Sequence, residues 1–236
     1  MAGLRRVSVH AWCRVSLVEF PILGSLSEAD RRRVLASTSR RTFARRAMLF
    51  HTRDPGNSLH LIAKGRVAVR ITTPNGEQAT LDVLGAGNVA GIFAVLGVGL
   101  RRTASVEALE PTETLSISQA QFQALRRAHP TIDQFVIDVL LAAVQRVDRL
   151  LLEALYDPVE LRLLRRLLDL TRVYALDEHD ATVQIALTQQ DLASMAGTSR
   201  STANQVLRQL EEAGVVRLSR NRIHVLDRVA LQQRVG

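Results

Sequence analysis

Cysteine occurs once in the 236 residues, at Cys13. A single thiol excludes an internal disulfide framework and argues against a cysteine-ligated iron–sulfur cluster or structural zinc site. Lysine is as scarce: Lys64 is the only one, so the positive charge is almost wholly arginine. No stretch approaches the ~20 uninterrupted apolar residues of a membrane span. In the opening MAGLRRVSVHAWCRVSLVEF, Arg14 and Glu19 interrupt the run that a secretory signal needs. These absences predict a cytoplasmic protein with no membrane partner. The histidines, at positions 10, 51, 60, 129, 179 and 224, show no metal-ligand spacing. Neither a nucleophile motif nor a Walker-type phosphate loop occurs, and Gly97-x-Gly99 is too short for a dinucleotide fingerprint, so no enzyme is expected.

What the chain does have is apolar mass and positive charge. At 47% hydrophobic residues it can bury one large or two small cores. A formal charge of +8 suits a polyanionic partner, because each phosphate neutralised releases condensed counterions. Residues 1–20 carry no clear period and read as an extension. Leu26 to Thr38 reads as a short amphipathic helix started by Ser27. From about Arg40 to Ser118 the apolar residues come in short runs, at 48–50, 59–63, 67–71, 79–84, 104–108 and 114–117. Gly, Pro and Asn clusters separate them, the pattern of an all-β sandwich or roll. Asn75-Gly76 is the strongest hairpin signal in that stretch.

Gly87 to Ala104, GNVAGIFAVLGVGLRRTA, breaks the strand texture. Glycines let a backbone approach an anion, a short helix start points N–H groups at it, and an arginine can clamp it. A plain roll corner with surface arginines would leave the same trace. Ser118 to Ala128 then reads as a helix. After His129-Pro130 a long helix follows, along which Val136, Leu140, Val144, Val147 and Leu151 recur at spacings of four or three, a heptad-like stripe. That stripe is expected to pair two copies of the chain, the alternative being a helix buried in its own domain. Asp157-Pro158 should end it, and Val159 to Tyr174 should form another amphipathic helix.

Thr188 to Leu210, TQQDLASMAGTSRSTANQVLRQL, reads as helix, tight turn, helix. Thr188 and Asp191 form a capping box, Gly197 breaks the first helix, and Thr198 or Ser199 caps the second. Ala203, Val206, Leu207 and Leu210 make its buried face. Arg200, Ser201, Asn204, Gln205 and Arg208 share the other, a mixture able to meet base edges and phosphates in a major groove. By itself this could be an ordinary helical hairpin. The Val-Val-Arg-Leu and Ile-His-Val-Leu strands that follow, around Ser-Arg-Asn-Arg, complete a winged helix, with Arg217, Arg220 and Arg222 on the wing.

In this order the blocks DPGNSLHLIAKGRVAVR, GNVAGIFAVLGVGLRRTASV and LTQQDLASMAGTSRSTANQVLRQLEEAGVV resemble the bacterial cyclic-AMP receptor protein and fumarate–nitrate regulator family over residues 40 to 228. The resemblance implies an α+β architecture: a cyclic-nucleotide-binding-like β-roll domain at 21–130, a dimerisation helix and hinge at 131–157, and a winged helix-turn-helix DNA-binding domain at 158–236. It implies a homodimer on double-stranded, palindromic DNA, with RNA polymerase as a further partner. Gly91, Arg102, Thr103 and Ala104 correspond to the positions that hold a cyclic phosphate. Thr188, Gln189 and Gln190 correspond to phosphate contacts, and Arg200 to a guanine-reading arginine. Ser199, Ser201, Asn204, Gln205, Arg208, Arg220 and Arg222 complete the expected DNA surface.

The chain departs from that pattern where ligand identity is set. Ile92 stands in place of the ribose-binding Glu, Val147 and Asp148 in place of the adenine-binding Thr and Ser, and Ala143 in place of an arginine. Isoleucine accepts no hydrogen bond, and a buried hydroxyl left unpaired costs roughly 1 to 3 kcal/mol. Weak or absent cyclic-AMP binding is therefore expected, with either ligand-independent DNA binding or another small anion as the signal. On the DNA side Ser201 replaces a Glu and Gln205 a second arginine. A half-site that differs from the cyclic-AMP receptor's follows. A low-specificity architectural DNA binder is the alternative that the net charge allows.

Overall fold

The computed structural model describes residues 20–24, 26–72, 76, 78–97, 99–175 and 180–236. Cys13, almost all of the 1–20 extension, Asn75 of the expected hairpin and His179 lie outside the described residues. The helix expected after Leu26 is α1 (Glu28–Ser37), whose N-terminus Ser27 caps by accepting from the Asp30 N–H at 3.1 Å. The β-rich stretch forms two four-stranded antiparallel sheets. One is ordered β1 (Ser39–Phe43), β8 (Thr112–Ser118), β3 (Ser58–Lys64) and β6 (Val89–Ala90). The other is ordered β2 (Met48–Phe50), β7 (Ser105–Ala108), β4 (Val67–Thr72) and β5 (Gln78–Leu84). Leu59, Leu61, Leu115 and Ile117 from the first sheet pack with Phe20, Ile22, Val34 and Phe122. Phe50, Ile62, Val67, Ala90 and Val106 fill a smaller core between the sheets.

Strand β1 was not expected. The β1 sequence, Ser-Arg-Arg-Thr-Phe, has no alternation to announce it; pairing along β8, from Ser39↔Ser116 to Phe43↔Thr112, holds it at the sheet edge. Strands β4 and β5 pair in register through Thr72↔Gln78, with one irregularity between Val69 and Arg70. A four-residue helix, α2 (Ile92–Val95), interrupts the roll after Gly91.

Ser118 and Gln121 form a reciprocal capping box at the start of α3 (Gln119–Ala128). The long helix is α4 (Thr131–Tyr156), and it stops where the residue before Pro158 turns extended, as the proline ring requires. Its first turns are bound to the roll core through Ile132 and Val136. Beyond them the helix stands largely clear of its own chain.

The C-terminal part packs α5 (Val159–Tyr174), α6 (Gln189–Met195), α7 (Arg200–Glu212) and α8 (Arg228–Val235) around a three-stranded sheet ordered β10 (Val216–Ser219), β11 (Arg222–Val225) and β9 (Val183–Ile185). Helix α8 was not anticipated; Asp227 caps it by accepting from Ala230 N–H at 2.8 Å. Leu163, Leu167, Ile185, Leu192, Ala203, Leu207 and Val225 are fully enclosed in this core, and Val83 of the roll reaches into it. Glu153 of α4 is paired with Arg166 of α5 at 2.6 Å, both almost wholly buried, so the helix junction is tied by charge as well as by chain.

Leu167→Ala, which empties the centre of the C-terminal core, is expected to cost roughly 2 to 5 kcal/mol. Chemical denaturation followed by circular dichroism measures it.

Candidate DNA-reading surface and ligand cavity

The helix-turn-helix is assembled from local hydrogen bonds. Thr188 Oγ1 accepts from Asp191 N–H at 3.0 Å, and the Asp191 carboxylate accepts from Thr188 N–H at 3.1 Å, the reciprocal box that starts α6. Gly197 takes the left-handed conformation, φ +62°, that lets the chain turn. Of the two candidate caps for α7 it is Ser199 that serves, accepting from Thr202 N–H at 3.1 Å. Ala203, Val206, Leu207 and Leu210 are buried as the period requires. Arg200, Ser201, Gln205 and Arg208 are exposed on the opposite face, Arg208 held by Glu211 at 3.0 Å. Asn204 is half-buried and donates to the Gln189 side chain at 2.7 Å, so one expected base contact instead braces the two helices in this structure. Thr188 is half-buried at its cap, and Gln190 is exposed beside it. Arg217, Arg220 and Arg222 are exposed on the β10–β11 wing, whose turn uses Asn221 at φ +59°.

A cavity of about 520 Å³ lies between the roll and α4. Gly91, Ile92, Arg102, Thr103, Ala104 and Val147, the positions to which the family resemblance pointed, line it, and Ala143 does too. Arg102 is positioned by its backbone, which exchanges hydrogen bonds with the 53–54 turn at 2.9 Å in both directions. Its guanidinium donates to Gly91 O at 3.1 Å and Ser58 Oγ at 3.2 Å and lies 4.0 Å over the Phe50 ring. Gly91 is required here: φ is +82°, and a Cβ would stand 2.3 Å from Arg102 Nη1. Beside it His60 is buried against Phe43 and Phe50. Burial first, then the Arg102 and Arg41 cations, lower its pKa to about 4, so it is neutral at pH 7.

Two expectations for α4 need correcting. Asp148 is exposed and points away from its own chain's cavity, because the helical period brings Val139, Ala142, Ala143, Arg146 and Val147 to that wall. The charged group there is Arg146, which pairs with Asp82 and donates to Leu81 O at 3.2 Å. Its position three residues after Ala143 was the available signal. Val136 is 5% exposed within the roll core and has no free face for a seam. Leu140, Val144, Val147 and Leu151 are exposed, and Ile137, Leu141, Leu152 and Leu155 widen the apolar surface.

A clasp between roll and winged helix was not anticipated. Arg70 of β4 meets Asp191 at 2.8 Å and Glu107 at 2.9 Å. Thr80 of β5 donates its hydroxyl to Asp191 at 2.9 Å and its N–H to Ser194 Oγ at 3.0 Å. Arg66 donates to the Val173 carbonyl at 3.0 Å and stacks on the Tyr174 ring at 4.4 Å. Burial alone would raise the Asp191 pKa. The Thr188 hydroxyl, the Arg70 charge and the Thr80 hydroxyl outweigh it and hold the carboxyl below its usual range.

Residues 40–129 match the cyclic nucleotide-binding domain family, and residues 161–234 match the Crp-like helix-turn-helix domain family. The chain belongs to the Crp/Fnr family of regulators. The cyclic AMP receptor protein of Thermus thermophilus is 29% identical over 218 residues, 90% of this chain and 95% of that protein. A CRP-like cAMP-activated global transcriptional regulator of Mycobacterium tuberculosis is 25% identical, over 81% of this chain and 86% of the relative. The crystal structure of the Thermus thermophilus catabolite activator protein superposes with a TM-score of 0.53 at 28% identity, covering 91% of this chain and 98% of the other. Crp/Fnr proteins are DNA-binding transcription regulators, and the fold here is theirs. Among the described residues no helix is long and apolar enough to cross a membrane.

Asp191→Asn keeps the α6 cap and removes the clasp charge, leaving Arg70 with Glu107. Stability at pH 7 is expected to fall by roughly 1.5 to 3 kcal/mol. The native carboxyl is held below its ordinary 3.8, so its contribution is present above that value and lost as pH falls through the lowered one. Thermal melts from pH 7 to pH 2 should show a shallower acid limb for the variant.

Proposed function

We propose that this chain is a homodimeric, sequence-specific transcription regulator that reads a palindromic DNA site. What carries the reading is the exposed α7 face: Arg200, Ser201, Gln205 and Arg208 project from a helix whose opposite side is buried. A guanidinium can meet guanine O6 and N7 together, an amide or hydroxyl adapts to neighbouring edges, and wing arginines can meet phosphate. Thr188, Gln189, Gln190 and Ser199, near the starts of α6 and α7, supply phosphate contacts in this scheme. We divide the chain as expected, with the roll at 21–130, the helix and hinge at 131–157 and the DNA-binding domain from 158.

The proposed seam is α4 against a second α4. Leu140, Val144, Val147 and Leu151 are 39% to 63% exposed in the single chain. Isolated surface leucines need no explanation, but a continuous apolar stripe at coiled-coil spacing does, and a second copy of the same stripe satisfies the spacing. Two-fold pairing would set two α7 helices toward successive major grooves, ~34 to 36 Å apart.

The cavity fits one part of a cyclic nucleotide and not the rest. Gly91, Arg102, Thr103 and Ala104 suit a phosphate. Ile92 offers the ribose hydroxyl no acceptor, and the Val139, Ala142, Ala143 and Val147 wall offers the base no hydrogen bond. Weak or absent cyclic-AMP binding follows, and with it DNA binding that does not require that nucleotide.

Selection of sites from random DNA, with and without cyclic AMP, should return a two-fold symmetric sequence in both arms. Arg200→Ala should lose about 1 to 3 kcal/mol on the best site and relax one base position per half-site. Unchanged affinity, or less than tenfold variation among sequences at fixed salt, would favour the architectural binder instead. Leu151→Glu should yield monomers in analytical ultracentrifugation and lower apparent operator affinity; a persistent dimer would relocate the seam.

A further inference from the structure

Arg102 is 4% exposed. No carboxylate lies within ion-pair distance of it among the described residues, and Asp54 favours its charge only from farther off. Two neutral oxygens and the face of Phe50 are its contacts, and its Nε is buried without a partner. A guanidinium has five N–H donors, and a buried cation without a counter-ion is costly. The position therefore calls for an anion. The rest of the cavity calls for something else: Val69, Ile71, Leu84, Ile92, Val139 and Ala143 give it an apolar lining, and Arg146 is already neutralised by Asp82. A volume of about 520 Å³ is that of an ordinary ligand pocket.

We propose that this cavity takes an amphipathic anion, an anionic head on a hydrocarbon body, with the head on Arg102 and the body along the Ile92, Val139 and Ala143 wall. The inference rests on the regulator reading above for its biological sense, and on the cavity alone for its chemistry. Carboxylate and phosphate monoester heads share the required charge, and Arg102 can pair with either through two donors. A cyclic nucleotide has the charge but carries hydroxyls and ring nitrogens into a wall that cannot pair them. An unsubstituted hydrocarbon has the converse mismatch.

Calorimetric titration of the full-length protein with n-alkyl carboxylates and n-alkyl phosphates of increasing length, below their micelle concentrations, tests this directly. Each added methylene should tighten binding about fourfold until the cavity is full, the factor that corresponds to ~0.8 kcal/mol per buried methylene. Comparing the two series at equal length shows which head the site prefers. Cyclic AMP should bind more weakly than the best member of either series. Arg102→Gln should weaken binding at least tenfold. Because Arg102 also braces the roll, Ala143→Phe serves as a second variant, filling the wall without touching the arginine; it should shorten the longest chain bound while its melting temperature shows that it folds. No binding at any length, affinity flat in chain length, or cyclic AMP tighter than every alkyl anion overturns the proposal. Retained affinity in Arg102→Gln together with an unchanged length limit in Ala143→Phe does the same. Operator binding by fluorescence anisotropy, measured on the same samples without ligand, separates the two readings: its loss would sink the regulator and leave the cavity chemistry standing, and the reverse holds equally.

Discussion

Asp191 performs two jobs with one carboxylate, and the arrangement of the molecule depends on both. Oδ2 closes the capping box that starts α6, while Oδ1 receives Arg70 and Thr80 from the roll. A helix start leaves N–H groups unpaired, so the carboxylate would be useful there alone. Sharing it with Arg70 ties the first helix of the reading motif to β4 and β5. Desolvation offsets part of the attraction in a buried ion pair of this kind, and the Thr188 and Thr80 hydroxyls add to what remains. The pair's effect is directional: an ionised, almost enclosed carboxylate tolerates few alternative partners, so the winged helix is held in one orientation.

The long helix resolves a different conflict. Its first turns must belong to the roll, and Ile132 and Val136 bury there. Farther along, Val139, Ala143 and Arg146 turn to the cavity while Leu140, Val144 and Leu151 remain exposed. Residues three and four apart share a face, so one helix can serve the cavity and an apolar stripe at once. Val147 borders both, being a cavity residue and 63% exposed. The fold thereby sets cavity wall and exposed apolar stripe side by side on one helix.

The helices and most of the roll were legible because their signals are local. Thr188 with Asp191, Ser199 with Thr202 and the period of Ala203 to Leu210 each involve residues within a few positions, and the structure follows them. A glycine-and-arginine anion site was legible from the chemistry of Gly87 to Ala104, and the family pattern picked Gly91 and Arg102 out of that stretch. Strand β1 was not, because its stability comes from the pairing along β8 and not from its own residues. The Arg70–Asp191 bond joins positions 121 apart, and nothing in either segment names its partner. Asp148 was assigned to the cavity by alignment of positions, and the one-residue difference from Val147 rotates it about 100° around the helix, out of its own chain's pocket.

Strands β4 and β5 bring these parts together. Successive side chains on a strand point to opposite faces, so Val69 and Ile71 line the cavity while Arg70 between them grips Asp191. On β5, Leu84 faces the cavity, and Thr80 and Val83 face the winged helix. A ligand can shift a conformational equilibrium only by its difference in affinity for the two arrangements. That difference can arise most directly where the cavity wall and the domain contact share a strand. The two strands meet this condition without any intermediate chain of contacts, and the irregularity between Val69 and Arg70 falls at the crossing point. An occupant that pressed on β4 from the α4 side would bear on Val69 and Ile71, each one peptide step from the arginine that holds Asp191.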